Sequence, residues 1–346
     1  MEERRFLWVV RTTMDKRRKI DLMLETAQNL RQNNLLVQIN GRGEAYYRSQ
    51  MLPPAPGLDF DPLDYLLEKA RALGMKIHGW INAFTVGSFT RPPENPDHVL
   101  NQHPDWVLVD REGNSLWDFP PEQAWEALPT FMLDPGLPEV QEHVASTFLE
   151  VVESYSLDGI HFDYLRYPTA EYGYHERSCQ RFQEKFGFEP PRVAGEKGWE
   201  EWRSWRQEQV NEVLRLISSK TRQMKPEMEI SAAVYPDLKD SRESKLQDWP
   251  YWLESKLVDS LLPMAYSPRP EVVQQQLETI QEEVGRDNVY PGLGAFQLLD
   301  NPRQLVEIIQ GVRHLDFPGV ALFSYDSLAE KEQVLRVLRE EAYPAP

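Results

Sequence analysis

The sequence has one cysteine, Cys179. An intramolecular disulfide is therefore excluded, and with no second thiol nearby there is no cysteine metal pair. No run of about 18 apolar residues occurs, so no segment reads as a membrane-spanning helix. Basic residues are few beside acidic ones, 38 against 55, and the formal net charge is −17. Such a chain lacks the basic footprint that nucleic acid or an anionic membrane surface requires, so neither is expected as a partner. Dinucleotide fingerprints and P-loops are absent. The seven histidines are scattered, and none forms a metal-ligand pair with a close neighbour, so no metal or cofactor is expected. Gly292-Leu293-Gly294 is too short a glycine signal to mark a phosphate site without a basic residue close behind it. Met1 is followed within a few residues by an apolar run, leaving no room for a secretory signal. The expected location is cytoplasmic as written, and periplasmic or secreted for a chain trimmed from a longer one.

What the chain does have is alternation. Short apolar runs at about 6–11, 35–40, 76–82, 157–163, 229–235, 258–266, 288–293 and 319–325 alternate with stretches of helical period. Helices are expected near 20–33, 62–73, 138–155, 175–186, 199–224, 272–284, 302–312 and 330–341. Repeated strand–helix units imply a parallel sheet. Eight of them in 346 residues suit an α/β (β/α)8 TIM barrel forming one domain over 1–346, a fold that typically takes about 250 residues plus insertions. A doubly wound open sheet usually has fewer strands.

Two connections exceed the few residues usual between strand and helix. They span about 83–137 after strand three and 164–227 after strand four. Both fall on the C-terminal face, where barrel active sites lie. Both are rich in aromatic residues: Trp106, Trp117 and Trp125 in the first, Tyr164, Tyr167, Tyr172 and Tyr174 in the second. Most of these rings are expected to pack the loops down; at least one, with Trp106 a candidate, is expected to stack on the apolar face of a sugar.

The fourth run reads Asp158-Gly159-Ile160-His161-Phe162-Asp163-Tyr164. Side chains alternate along a strand, so Ile160 and Phe162 face the helices while Gly159, His161 and Asp163 face the barrel interior. An acid low in an apolar barrel would be costly; Asp163, last in the strand, reaches the mouth. Asp158, at the opposite end, suits a turn. The alternative for Asp163 is a structural pair with Arg166. Polar residues also alternate inward on the neighbours: Gln38 and Asn40 in strand two, His78, Trp80 and Asn82 in strand three. The loop Gly41-Arg42-Gly43-Glu44 follows strand two, and its glycines let the backbone turn above the barrel. Strand five ends in Tyr235-Pro236-Asp237, where Asp237 is either a second carboxylate or a turn residue. Tyr266 ends strand six; Phe323, Tyr325 and Asp326 lie at the end of strand eight.

These residues resemble a known family. The segment from Asp158 to Pro168 is similar to the signature of the glycosyl-hydrolase-like family 10, a set of bacterial barrels. The resemblance extends to His103–Gly113 after strand three, to Asp134-Pro-Gly-Leu-Pro138, to Gly41–Tyr47 with Glu44 where an Asp is usual, and to Gly319–Tyr325. It covers nearly the whole chain, and the strand-four motif is its most specific part. It implies hydrolysis of a glycosidic bond in a bacterial glycan, with cell-wall glycan as the substrate class and Asp163 as the catalytic carboxylate. The same motif is similar to the DGxDxDxE of chitinase-type barrels, and Met264-Ala265-Tyr266 also resembles them. Leu165 stands in place of their catalytic Glu and His161 in place of an Asp, which argues against their substrate-assisted mechanism.

Most glycosidases use two carboxyl groups. Asp163 is expected as nucleophile or base, with Glu44 and Asp237 the leading acids and Asp326 behind them. Arg42, His161 and Arg166 are expected to hold a carboxylate or substrate. Asn82 and Tyr266 would grip hydroxyls, and Phe323 and Trp106 would offer ring faces. The competing reading is a glycan-binding barrel without catalysis. A metal-dependent hydrolase would need a His/Asp cluster, which the sequence does not offer.

Overall fold

A computed structural model describes residues 2–120 and 130–344. Eight parallel strands run β1 (Arg4–Val9), β2 (Asn34–Asn40), β3 (Lys76–Asn82), β4 (Gly159–Asp163), β5 (Glu229–Val234), β6 (Ser260–Pro263), β7 (Gly292–Gly294) and β8 (Gly319–Phe323). Their order is β6-β5-β4-β3-β2-β1-β8-β7. The two edges are drawn together by bridges from Leu261 to Val289 and from Met264 to Gly292, with Tyr290 N–H donating to Leu261 O at 2.9 Å. The result is a nearly closed TIM barrel with helices between its strands.

Outward residues such as Leu7, Val9, Val37, Ile39, Ile160, Phe162, Ile230 and Leu261 are buried in the layer between sheet and helices. The inner filling is separate: Phe6, Trp8, Leu36, Trp80, Ala233, Leu262, Tyr290 and Ala321. Helices begin where the chain offers proline at a position with no N–H to lose, at Pro62, Pro138, Pro270 and Pro302. Asp61 caps the first of these, accepting from Asp64 N–H.

Three expectations need correction. Strand six is only Ser260–Pro263 and strand seven begins at Gly292, because Pro263 and Pro291 have no N–H to give to a ladder. A helix, Leu238–Glu243, directly follows strand five. The barrel bottom is ionic as well as apolar. Arg4 donates to both oxygens of Glu229 at 2.9 and 2.6 Å, and also to Asn34 Oδ1 at 3.0 Å. Pairing makes that low acid tolerable. Asp158 also stays at this end, where it accepts from Ile77 N–H at 2.8 Å.

The insertion after β4 carries the helices Glu176–Phe186 and Trp199–Met224. They close over a cluster of Tyr174, Phe182, Trp202 and Trp205. Arg206 is buried beneath it and donates to Ala170 O and Tyr172 O, both at 2.7 Å. This anchors the loop that descends from β4 to the C-terminal face.

Candidate active site

A cavity of about 390 Å³ opens at the C-terminal ends of the strands. Its floor is aromatic. Trp8, Tyr266 and Phe323 pack on one another, with centroids 5.9 Å apart for Trp8 and Phe323 and 5.4 Å for Tyr266 and Phe323. The insertion after β3 adds a polar wall of Thr85, Ser88 and Thr130, and Tyr164, Arg166 and Tyr235 stand on the β4–β5 side.

Asp163 lines this cavity at the end of β4 and is 9% exposed. It is the only carboxylate lining the cavity among the described residues. Trp80 Nε1–H donates to its Oδ2 at 3.1 Å, and Tyr164 N–H to its Oδ1 at 2.7 Å. Tyr164 has φ +50°, a left-handed turn that brings its amide back to the carboxylate just before it. Burial raises the Asp163 pKa above the ordinary carboxylate value, while the Arg166 charge, the Tyr164 amide and the Trp80 indole act in the opposite direction. Burial prevails, so this carboxyl holds its proton to higher pH than an exposed aspartate.

A chain of hydrogen bonds leads from the carboxylate to β1. Trp80 Nε1–H is shared with Asn82 Oδ1 at 3.1 Å, which also accepts from Gln38 Nε2 at 3.3 Å. Gln38 Oε1 in turn accepts from Arg11 Nη1 at 2.9 Å. Asn82 lines the cavity, but its Nδ2 donates to Gly41 O at 2.9 Å, so its amide is engaged in holding the wall.

Arg42, Asn82, Arg166, Tyr266 and Phe323 thus come together around Asp163. Other expected residues do not. His161 lies one layer lower. Its Nε2 accepts from Trp8 Nε1–H at 3.2 Å, which leaves Nδ1–H to donate to Ser231 Oγ at 2.9 Å. It supports the indole of the floor and holds no carboxylate. Burial and the neighbouring His78 keep its pKa down at about 3, so the ring is neutral. Asp237 is exposed outside the cavity; its Oδ1 accepts from Asp240 N–H at 2.7 Å and caps a helix. This corrects the expectation of a second strand-end acid there and matches the turn alternative. Asp326 is likewise engaged, accepting from Val10 N–H at 2.7 Å and Thr13 Oγ–H at 2.6 Å. Glu44 is half-buried beside the cavity, without a hydrogen bond or ion pair among the described residues. Burial raises its pKa, and the charges of Arg11, Arg42 and Arg91 oppose that rise.

Trp106 is not a cavity residue: it stacks on His103 at 3.8 Å and packs against His143. Tyr167, Tyr172 and Tyr174 are buried in loop packing, and Trp117 is outside the cavity; Trp125 lies outside the described residues. Among the described residues, Tyr164 is the one ring named from the insertions that lines the cavity. Trp8 and Arg11 were not anticipated. Phe6 and Trp8 of β1, with Val10 just beyond it, face the barrel interior, but in an apolar run that period reads as core filling. Arg11, two residues past an apolar strand, carried no motif.

The loop after β2 is fixed by His98. Its Nδ1 accepts from Leu100 N–H, so Nε2–H donates to Arg42 O at 2.7 Å. Gly43 adopts φ +72°, and a Cβ there would lie 2.6 Å from His98 Nε2; only glycine fits both the turn and the approach. Among the described residues no group of three or more His, Cys, Asp or Glu side chains is placed to hold a metal ion. Among the described residues no helix is long and apolar enough to cross a membrane.

Residues 4–291 match the family described as glycosyl hydrolase-like 10. A relative named Glycosyl hydrolase DigH, from Escherichia coli strain K12, is 28% identical over 279 residues, covering 71% of this chain and 57% of the relative. Glycosyl hydrolase YngK of Bacillus subtilis strain 168 is 26% identical over 214 residues, covering 59% of this chain and 37% of the relative. The chain therefore spans little more than half of the first relative and less of the second. Among solved structures, the PgaB (BpsB) glycoside hydrolase domain from Bordetella bronchiseptica superposes with a TM-score of 0.77 at 16% identity, covering 99% of this chain and 100% of that domain. Alpha-L-fucosidase isoenzyme 2 from Paenibacillus thiaminolyticus gives a TM-score of 0.71 at 16% identity, covering 99% of this chain and 49% of that one. At such identities the likeness is one of fold.

Proposed function

Since the chain belongs to the glycosyl hydrolase-like 10 family, we propose that it hydrolyses O-glycosidic bonds of a bacterial poly- or oligosaccharide, of the peptidoglycan type, with Asp163 as the central carboxyl group. The observation that carries this reading is the placement of Asp163: among the described residues, the one carboxylate lining a cavity at the barrel mouth, with a hydrogen-bond donor at each oxygen. The names of the relatives and the glycosidase barrels among the structural neighbours support the reaction class.

A glycosidic oxygen leaves only when it is protonated as its bond to the anomeric carbon breaks. A carboxyl group that keeps its proton by burial suits that task. Burial of Asp163 therefore favours the proton donor over the nucleophile or base expected from the sequence. Once ionised, it is stabilised by Trp80, the Tyr164 amide and the nearby Arg166 charge, so the same group can take a proton back from water. Glu44 is the leading second carboxylate, because Asp237 and Asp326 are bound in local structure. Trp8, Tyr266 and Phe323 offer ring edges and faces to the apolar side of a pyranose.

That only one carboxylate among the described residues lines the cavity also favours a second reading, a glycan-binding barrel without catalysis. Mass analysis of products from peptide-free peptidoglycan, chitin and other bacterial polysaccharides separates the two. New reducing-end oligosaccharides are expected for the hydrolase; retention of glycan without products would favour the binding module.

A further inference from the structure

We infer that Arg11, Arg42 and Arg166 form a binding site for a carboxylate carried by the glycan, so that the cavity selects acidic over neutral sugars. The inference deepens the reading above and rests on it for the ligand being a glycan. The three arginines follow β1, β2 and β4, and all three line the cavity that holds Asp163. The chain as a whole carries a net charge of −17, yet among the described residues this cavity presents three guanidinium groups against one carboxylate. The reversal of sign is local and is not a by-product of composition.

None of the three has an ion pair among the described residues. Elsewhere, Arg4 meets Glu229 and Arg313 meets Glu3, each at 2.6 Å, while Arg181 and Arg206 bond only to neutral acceptors inside the loop packing and line no cavity that holds Asp163. Arg166 is only 8% exposed, and its Nε is buried without a hydrogen-bond partner. Its Nη1 donates to Tyr167 O at 3.3 Å, and its guanidinium lies over Tyr164 and Tyr235 at 4.8 and 5.0 Å. Asp163 does not complete it, because no ion pair within 4.0 Å joins them and the carboxylate oxygens are served by Trp80 and the Tyr164 amide. Arg11 reaches the neutral Gln38 at 2.9 Å. Gly41 makes room for it: a Cβ there would lie 2.9 Å from Arg11 Nη1. The Thr85 hydroxyl, in the wall that follows β3, is also buried without a partner.

A buried cation without a counter-charge is costly. Burial and the like charge of Arg42 push the Arg11 pKa down, and the charge of Glu44 nearby, which makes no ion pair with either arginine among the described residues, offsets this only in part. An anionic ligand would supply the missing acceptors. A planar guanidinium pairs with a carboxylate through two parallel hydrogen bonds, a geometry that a sugar hydroxyl cannot match.

The test uses Asp163→Asn, in which hydrolysis is blocked if the proposed function holds and binding is measurable whether or not it does. Calorimetry at low salt compares three probes: peptide-free peptidoglycan strands with an ether-linked carboxylate, an oligouronide with a ring carboxylate, and a neutral chitin oligosaccharide. At least one acidic probe is expected to bind about tenfold or more tighter than chitin oligosaccharide, the equivalent of about 1.4 kcal/mol, and which one does so identifies the carboxylate's source. Adding Arg42→Gln or Arg11→Gln should bring that ratio toward one, and Arg42→Lys should restore part of it. Equal affinity for acidic and neutral probes, absence of binding to all three, or a ratio unchanged by the arginine substitutions in folded protein would overturn the inference. An acidic preference in a protein that cleaves none of these glycans would leave the site standing and overturn only the hydrolase reading.

Discussion

Trp80 Nε1 lies 3.1 Å from Asp163 Oδ2 across two adjacent strands. The register pairs Trp80 with His161 and Asn82 with Asp163, so the indole reaches one pair upward to meet the carboxylate. A ring fixed in the barrel filling therefore lowers the pKa of a side chain at the mouth, against the larger opposite effect of burial. The indole can donate but not accept, so it stabilises the ionised carboxylate more than the acid.

Trp80→Phe tests that relationship. Removing the donor raises the Asp163 pKa further, since the ionised form loses support while burial remains. If Asp163 is the proton donor, the alkaline limb of the pH–rate profile moves to higher pH. A hydrogen bond to a charged group contributes about 1.5–3 kcal/mol, so kcat/KM should fall roughly 10- to 100-fold where the ionised form is needed. A profile superimposable on that of the unsubstituted protein would contradict the assignment.

Glu44→Gln tests the second carboxyl group. Glu44 is half-buried beside Arg11 and Arg42 and has no hydrogen bond among the described residues to account for its place. If it acts in catalysis, kcat should fall about 10²–10⁴-fold, the usual contribution of a general acid or base, with little change in KM. A kcat within about threefold of the original value would exclude it as the partner.

His161 gives a prediction about stability. Its folded pKa of about 3 lies below the ordinary histidine value of 6.5. Between those values the unfolded chain takes up a proton that the folded ring refuses. This contribution to stability is thus fully present above about 6.5 and is lost as the pH falls toward 3. Thermal unfolding followed from pH 7 to pH 4 should show a shallower decline for His161→Gln than for the unsubstituted protein. Parallel curves would mean that the ring is not held neutral as described.

The fold was legible because each unit repeats one physical pattern. Lys76–Asn82 and Trp199–Met224 coincide with their predicted bounds, since β3 has a clean inward–outward alternation and the long helix an unbroken period. Strands six and seven read too long because apolar content continues past prolines that end the ladder. At the site, the inward period placed Asp163, Trp80 and Asn82 correctly on one face. It could not separate depth: His161 shares the face of Asp163 but lies two residues lower, among Trp8 and Ser231. Asp237 carried two meanings at a strand end, and local geometry decided for the cap. Trp8 was hidden because an inward tryptophan in an apolar strand looks the same whether it fills a core or floors a cavity. The arginines became legible only as a group, since sequence spacing does not reveal that residues 11, 42 and 166 share one space.

The most direct test is reducing-end release from peptide-free peptidoglycan by the unsubstituted protein and by Asp163→Asn, with circular dichroism to verify the fold of both. The account predicts release by the first and a loss of at least about a hundredfold in the second, within the range for removing a catalytic acid. Release that persists undiminished in a folded Asp163→Asn protein would contradict it.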